Sequence, residues 1–183
     1  MKLIKMSIKA FLIVLLLLTG FKYGHAQSLK MDIDIDPFAY VFNGFSVHAG
    51  FNTQNIRYDI GLFGIEVPEA FHGNEGFNNY MWGAGAKADY YFKGTKSGLF
   101  TGFGVDLTNS RVRLEENGSE SSAVQFAAGL NFGYKVSISN HFFVKPWFGL
   151  SYLFNADDIV VDGRTFEQAS IRPFPTVHIG WMF

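Results

Sequence analysis

The chain has 183 residues, no cysteine and a formal net charge of −1. Without cysteine it has no disulfide, no thiolate metal site and no thiol redox chemistry. Its Lys and Arg are too few and too scattered for a nucleic-acid surface, which needs bases clustered against phosphate.

The first stretch reads as an export signal. Lys2, Lys5 and Lys9 precede an unbroken apolar run over residues 10–18, and Gly24-His25-Ala26 puts small residues at the −3 and −1 positions before Gln27. This pattern predicts a secretory signal peptide over 1–26. The apolar run is shorter than the roughly 20 residues a helical membrane span needs. The mature chain, 27–183, then forms one domain. Removing the leader removes four lysines and no acids, which leaves 11 bases against 16 acids and a net charge of −5 with His neutral. Phe (21) and Gly (20) are both abundant, which suits a β-rich protein with tight interior positions.

Beyond residue 27 the hydropathy alternates with period two, the mark of strands with unlike faces. The predicted strands, in chain order, are 31–42, 45–52, 55–66, 78–92, 98–112, 123–137, 142–154 and 168–183. In the sixth, Val124, Phe126, Ala128, Leu130, Phe132, Tyr134 and Val136 oppose Gln125, Ala127, Gly129, Asn131, Gly133 and Lys135. The fourth sets Tyr80, Trp82, Ala84, Ala86, Ala88 and Tyr90 against Met81, Gly83, Gly85, Lys87 and Asp89. One face is thus large and apolar; the other is glycine, small polar residues and scattered charge. The interior of an eight-stranded barrel is only just wide enough for side chains to fill. The glycine-and-charge face fits inside, so the bulky apolar face points out, and only lipid tolerates an all-apolar exterior.

Short links at 52–54, 93–97 and 139–141 alternate with longer polar ones at 67–77, 113–122 and 155–167, after a tight Asn43-Gly44 hairpin that suits a type I′ turn. Membrane barrels put short turns on the periplasmic side and long loops outside. The reading is therefore an all-β, eight-stranded, antiparallel up-and-down transmembrane β-barrel with both termini in the periplasm. In the first strand, Pro37 cannot donate to a ladder, and Phe38, Tyr40 and Phe42 share the parity of Asp32, Asp34 and Asp36. A bulge near Pro37 would turn the aromatics toward lipid. Pro173 and Pro175 fall on the lipid face of the last strand and remove two ladder donors. Strand-end aromatics fit two interfacial girdles; Trp147, inward by parity, is either an exception or the mark of a register error.

The export signal, the alternating strands and the terminal Val177-His178-Ile179-Gly180-Trp181-Met182-Phe183 resemble small outer-membrane proteins of the OmpA/OmpX type. The resemblance is architectural, covers the mature chain and carries no specific functional motif. It implies outer-membrane lipid and the barrel-assembly machinery as partners, with Trp181 and Phe183 in the strand that the machinery reads. It implies no cofactor.

The inward set holds Arg57, Lys87, Lys135, Lys145 and Arg172 as bases and Asp59, Asp89 and Asp106 as acids, joined by Asp32, Asp34 and Asp36 if the first strand keeps parity. Lone charges in a narrow interior are costly, so a paired network closing the lumen is expected. A narrow lumen conducting ions or holding a small or lipidic molecule is the alternative. His48 and His178 fall on the inner face toward the periplasmic end, near Asp34 or Asp36, with Ser46 and Ser170 on the same parity. Such groups can build a nucleophilic site, and some eight-stranded barrels modify lipid A, but those act at the outer leaflet, the other end. A soluble periplasmic ligand-binding barrel is a further alternative, of opposite polarity. Asp32-x-Asp34-x-Asp36 has Pro37 where a calcium loop needs glycine, and Asn43 where it needs a bidentate Glu. Asp157, Asp158 and Asp162, or Glu115, Glu116 and Glu120, could hold a cation only weakly. The loops 67–77, 113–122 and 155–167 offer an extracellular partner a surface, with Phe71, His72 and Phe77 either exposed or folded over the mouth. Asn117-Gly118-Ser119 matches a glycosylation sequon, which a polar loop also explains.

Overall fold

In the computed structural model, residues 29–183 are described; the expected signal peptide lies outside them. In chain order the elements are β1 (Lys30–Ile35), α1 (Pro37–Val41), β2 (Phe45–Asn52), β3 (Ile56–Val67), α2 (Glu69–His72), β4 (Phe77–Tyr91), β5 (Gly98–Leu114), β6 (Glu120–Ser137), β7 (Phe142–Leu153), β8 (Ile159–Val161), β9 (Arg164–Phe166) and β10 (Ile171–Met182). Strands β1–β7 and β10 form a closed antiparallel barrel in the order β1-β10-β7-β6-β5-β4-β3-β2, and β8-β9 is a separate hairpin.

The inside-out polarity expected from parity is what the barrel has. Leu130 and Phe132 are 68% and 58% exposed, while Asn131 between them is 4% exposed and Lys135 is fully buried. The interior is less purely polar than expected, because Tyr91, Phe100 and Phe143 are buried inside it near the short-turn end. Glycine makes their room: a Cβ on Gly180 would lie 2.2 Å from the Phe143 ring.

The first strand is corrected. It ends at Ile35, and residues 37–41 form one helical turn instead of strand. Asp36 caps this turn, its carboxylate accepting from Phe38 N–H at 2.9 Å, and Pro37 occupies the first helical position, where its missing N–H costs nothing. No bulge is needed: the strand stops before the parity conflict begins. The Asn43-Gly44 type I′ hairpin is also corrected. Only Asn43 has positive φ (51°), and a type I′ turn needs both central residues there. The last strand begins at Ile171, not 168. Two links carry structure that periodicity did not show, α2 within 67–77 and β8-β9 within 155–167. β5 and β6 also run on through the expected 113–122 loop, which leaves only residues 115–119 between them.

Candidate functional site

The lower half of the lumen is built around Arg57 on β3. Pairing sets Arg57 opposite Asn52 of β2 and Asp89 of β4, and two residues along the same face Asp59 opposes Gly50 and Lys87. On the other side of β2, Asp32 of β1 opposes Gly50 and Asp34 opposes His48. The period-two alternation therefore delivers three carboxylates to one guanidinium. Arg57 donates from Nη2 to Asp32 Oδ1 and to Asp34 Oδ2, both at 2.7 Å, and from Nη1 to Asp59. Its Nε donates to both Asp32 oxygens at 3.1 and 3.2 Å. A planar fork with fixed N–H directions suits such simultaneous charge-assisted bonds.

Three ammoniums complete the cluster. Lys135 lies 3.4 Å from Asp32, Lys145 3.1 Å from Asp34 and Lys87 3.5 Å from Asp59. The Lys135 ammonium also sits 3.9 Å above the Phe143 ring, and that of Lys87 4.4 Å above Trp147. Gly50 is what lets this core close: a Cβ there would come within 2.1 Å of Asp32 Oδ1 and 2.4 Å of Arg57 Nε.

His48 and His178 lie together inside, their ring centroids 4.8 Å apart. Each turns Nδ1 to a carboxylate, His48 to Asp59 at 2.9 Å and His178 to Asp34 at 2.6 Å. Ser46 does not join them: its Oγ accepts from Asp36 N–H at 3.1 Å. Among the described residues no hydrogen bond joins either histidine to a hydroxyl, and Ser170 is exposed. Asp34, His48 and His178 bring one ligand atom each within 4.8 Å of one another. Yet Asp34 already answers Arg57, Lys145 and His178, and three carboxylates here face four cations. Both Asp34 oxygens and the Nδ1 atoms of His48 and His178 are already engaged, so these donors fit a hydrogen-bonded network better than a metal.

Of the expected network members, Arg57, Asp59, Lys87, Lys135 and Lys145 are joined by close ion pairs, and Asp89, Asp106 and Arg172 form none among the described residues. Asp89 accepts from Asn131 Nδ2 at 2.9 Å. Asp106 lies over Gly85, where a Cβ would meet its carboxylate at 2.2 Å. Arg172 belongs to a separate upper layer, donating to Gln125 Oε1 and Gln168 Oε1, both at 3.0 Å, with Gln125 bonded to Gln168. Sequence reasoning left Asp32 and Asp34 conditional, yet they hold the centre. The usable signal was Asp32-x-Asp34, in inner-face parity. Asp36, the third acid of that run, caps α1.

Above the barrel mouth the links interlock. Phe77, Val112, Leu114, Ile159, Val161 and Phe166 form a buried apolar cluster. Asn74 bonds both the N–H and the C=O of Glu167, at 2.8 and 3.1 Å. Arg164 donates to Glu75 O at 3.0 Å, and Asn117 to Asp162 at 2.6 Å. Phe77 is therefore folded in, and the His72 ring lies 5.1 Å from Phe166, whereas Phe71 is 72% exposed. Burial holds the His72 imidazole below the ordinary histidine range, against the opposing pull of Glu69. Asp158 and Asp162 are taken by Gln168 N–H and Asn117; among the described residues the loop acids form no metal-spaced group. At the other end, Trp181 stacks on His141 (5.2 Å, 11°), and Phe183 N–H donates to Met31 O at 3.0 Å.

A closed ring of eight antiparallel strands, apolar outside and charged within, is the fold of the small eight-stranded outer-membrane barrels. Two solved structures share it. Neisserial surface protein A is 16% identical, with a TM-score of 0.51 over 85% of this chain and 96% of that one. The N-terminal β-barrel domain of Pseudomonas aeruginosa OprF is 13% identical, with a TM-score of 0.51 over 84% of this chain and 97% of that one. No family model and no curated protein sequence matches the chain.

Proposed function

We propose that this protein is an exported, integral outer-membrane β-barrel whose lumen is shut by the Arg57 network, and whose role is structural or recognitional, not catalytic. The observation that carries this reading is a fully buried Arg57 fastened to three carboxylates of two strands. An ion entering from either side would have to break buried ion pairs, at a cost of several kcal/mol each, in a barrel already too thin for an open channel. The apolar belt takes outer-membrane lipid as its solvent, and the terminal strand with Trp181 and Phe183 is the segment for the assembly machinery. The interlocked links over 67–77, 113–122 and 155–167, with Phe71 outward, form the face offered to an extracellular partner.

Membrane fractionation, heat-modifiable gel migration and planar-bilayer conductance test this together. Outer-membrane recovery, a shift on boiling and a silent bilayer are expected. Discrete conductance steps would overturn the closed lumen. A soluble protein without a shift would overturn the membrane reading.

A further inference from the structure

The barrel closes through a short seam. β1 pairs with β10 over four residue pairs, from Asp32 with Met182 to Ile35 with Ile179; above that, β10 pairs with β7 alone. Seven residues of β10, from Ile171 to Val177, thus have no strand partner on the β1 side over about 23 Å, and α1 packs against only part of β10. The chain that should cover this stretch turns into α1, whose five residues rise only about 7.5 Å. It then leaves for the other side, where Phe42 O accepts from Glu66 N–H at 2.9 Å.

The prolines stand where closure would need donors. Met182 N–H donates toward β7, to His141 O, and Phe183 N–H toward β1, to Met31 O. Successive residues of a strand direct their N–H groups to opposite neighbours, so the nitrogens of Pro173 and Pro175 face the unpaired edge. The two missing donors therefore belong to the β1 side, not to the β7 ladder. Continuing the register that pairs Ile35 with Ile179 would set Pro37 against Val177, Ala39 against Pro175 and Val41 against Pro173. Each is a pair that should exchange two hydrogen bonds, and each contains one proline that cannot donate. The sequence is thus set against extending β1, and the gap is built in.

On the lumen side of this edge lie Phe174, 39% exposed although its parity is inward, and Trp147, their rings 5.7 Å apart. Thr176 is 5% exposed and directly opposite Trp147, and neither Thr176 Oγ1 nor Trp147 Nε1 has a partner. The aromatic wall beside them suits an apolar chain. On the outer side the edge is continuous with the lipid-facing belt: Leu150, cross-strand from Pro173, is 49% exposed, and Phe38 and Val41 on α1 are 49% and 71% exposed.

We propose that the upper half of the β1–β10 seam is a lateral opening through which the acyl chain of a membrane lipid enters the lumen and lies against Phe174 and Trp147. This rests on the membrane reading above. The test uses the full mature barrel, in vesicles of phosphatidylcholine brominated on its acyl chains, with the tryptophans reduced to one. Trp82→Phe with Trp181→Phe leaves Trp147; Trp147→Phe with Trp181→Phe leaves the lipid-facing Trp82. Trp147 is expected to lose fluorescence by a factor comparable to Trp82. Loss at Trp82 with none at Trp147 would overturn the opening and leave the membrane reading standing; no loss at either would overturn both. Adding Pro37→Val, Pro173→Val and Pro175→Val restores the donors and should abolish the loss at Trp147. Undiminished loss in that folded variant would overturn the seam as the route. Should the variant fail to fold, the single-tryptophan comparison still decides.

Discussion

The molecule has two cores of opposite chemistry. The lower one, inside the barrel wall, is Arg57, three lysines and the carboxylates of Asp32, Asp34 and Asp59. The upper one, above the mouth, is Phe77, Val112, Leu114, Ile159, Val161 and Phe166. Where lipid is the outer solvent, apolar side chains gain nothing by turning inward, and the interior is left to groups that need one another. Where water is the solvent again, ordinary hydrophobic burial returns. Polarity inversion is thus a property of the membrane-facing band, not of the whole chain.

The two cores should break differently. The largest effect is expected for Arg57→Met, which leaves three buried carboxylates short of their shared partner and should cost about 3–5 kcal/mol, read as a lower urea midpoint in the gel-shift assay. Phe132→Arg, on the lipid face, should cost about 2–4 kcal/mol near the bilayer midplane; no change in a refolding titration would reverse inside and outside. Ile159→Ala should remove about 2 kcal/mol from the upper core alone. Protease cleavage within 155–167 should quicken while the heat-modifiable shift persists; loss of both would mean the cores are coupled. Asn131→Ala should cost about 1–2 kcal/mol, because it strips the amide from buried Asp89.

The smallest effect is a pH dependence confined to the upper core. Burial keeps the folded His72 below its ordinary value of about 6.5, so the opened cap takes up the proton first. Its stability is full above that value and declines as pH falls through it. Proteolysis of 67–77 should therefore be faster at about pH 5 than at pH 8, and His72→Asn should flatten the difference.

Strand number, polarity and most boundaries were legible because period-two alternation reports two unlike solvents on two faces. The alternation could not show where β1 stops, since Phe38, Tyr40 and Phe42 continue a strand-like pattern and only the capping geometry of Asp36-Pro37 ends it. Charge partners were legible only as a set. Arg172 shares a face with Arg57, but its height, set by the register with Ser151, puts it among glutamines. The upper core was hidden because Ile159, Val161 and Phe166 sit in a polar link too short to show a period. The interior place of Trp147, by contrast, followed from parity alone.

The placement of Asp32 and Asp34 bears on how such a chain can enter a bilayer. They lie near the start of the barrel, and the cations they answer sit on β3, β6 and β7. A β3–β4 hairpin inserted alone would carry Arg57 into hydrocarbon with only Asp59 and Asp89 beside it. The β6–β7 pair would carry Lys135 and Lys145 with Glu120, at the far end of β6, as the one carboxylate on either strand. Unpaired charges at that depth are expensive. Stepwise insertion, hairpin by hairpin, is therefore the uphill route, and the strands should cross together, with the two ends of the chain meeting as the charges do.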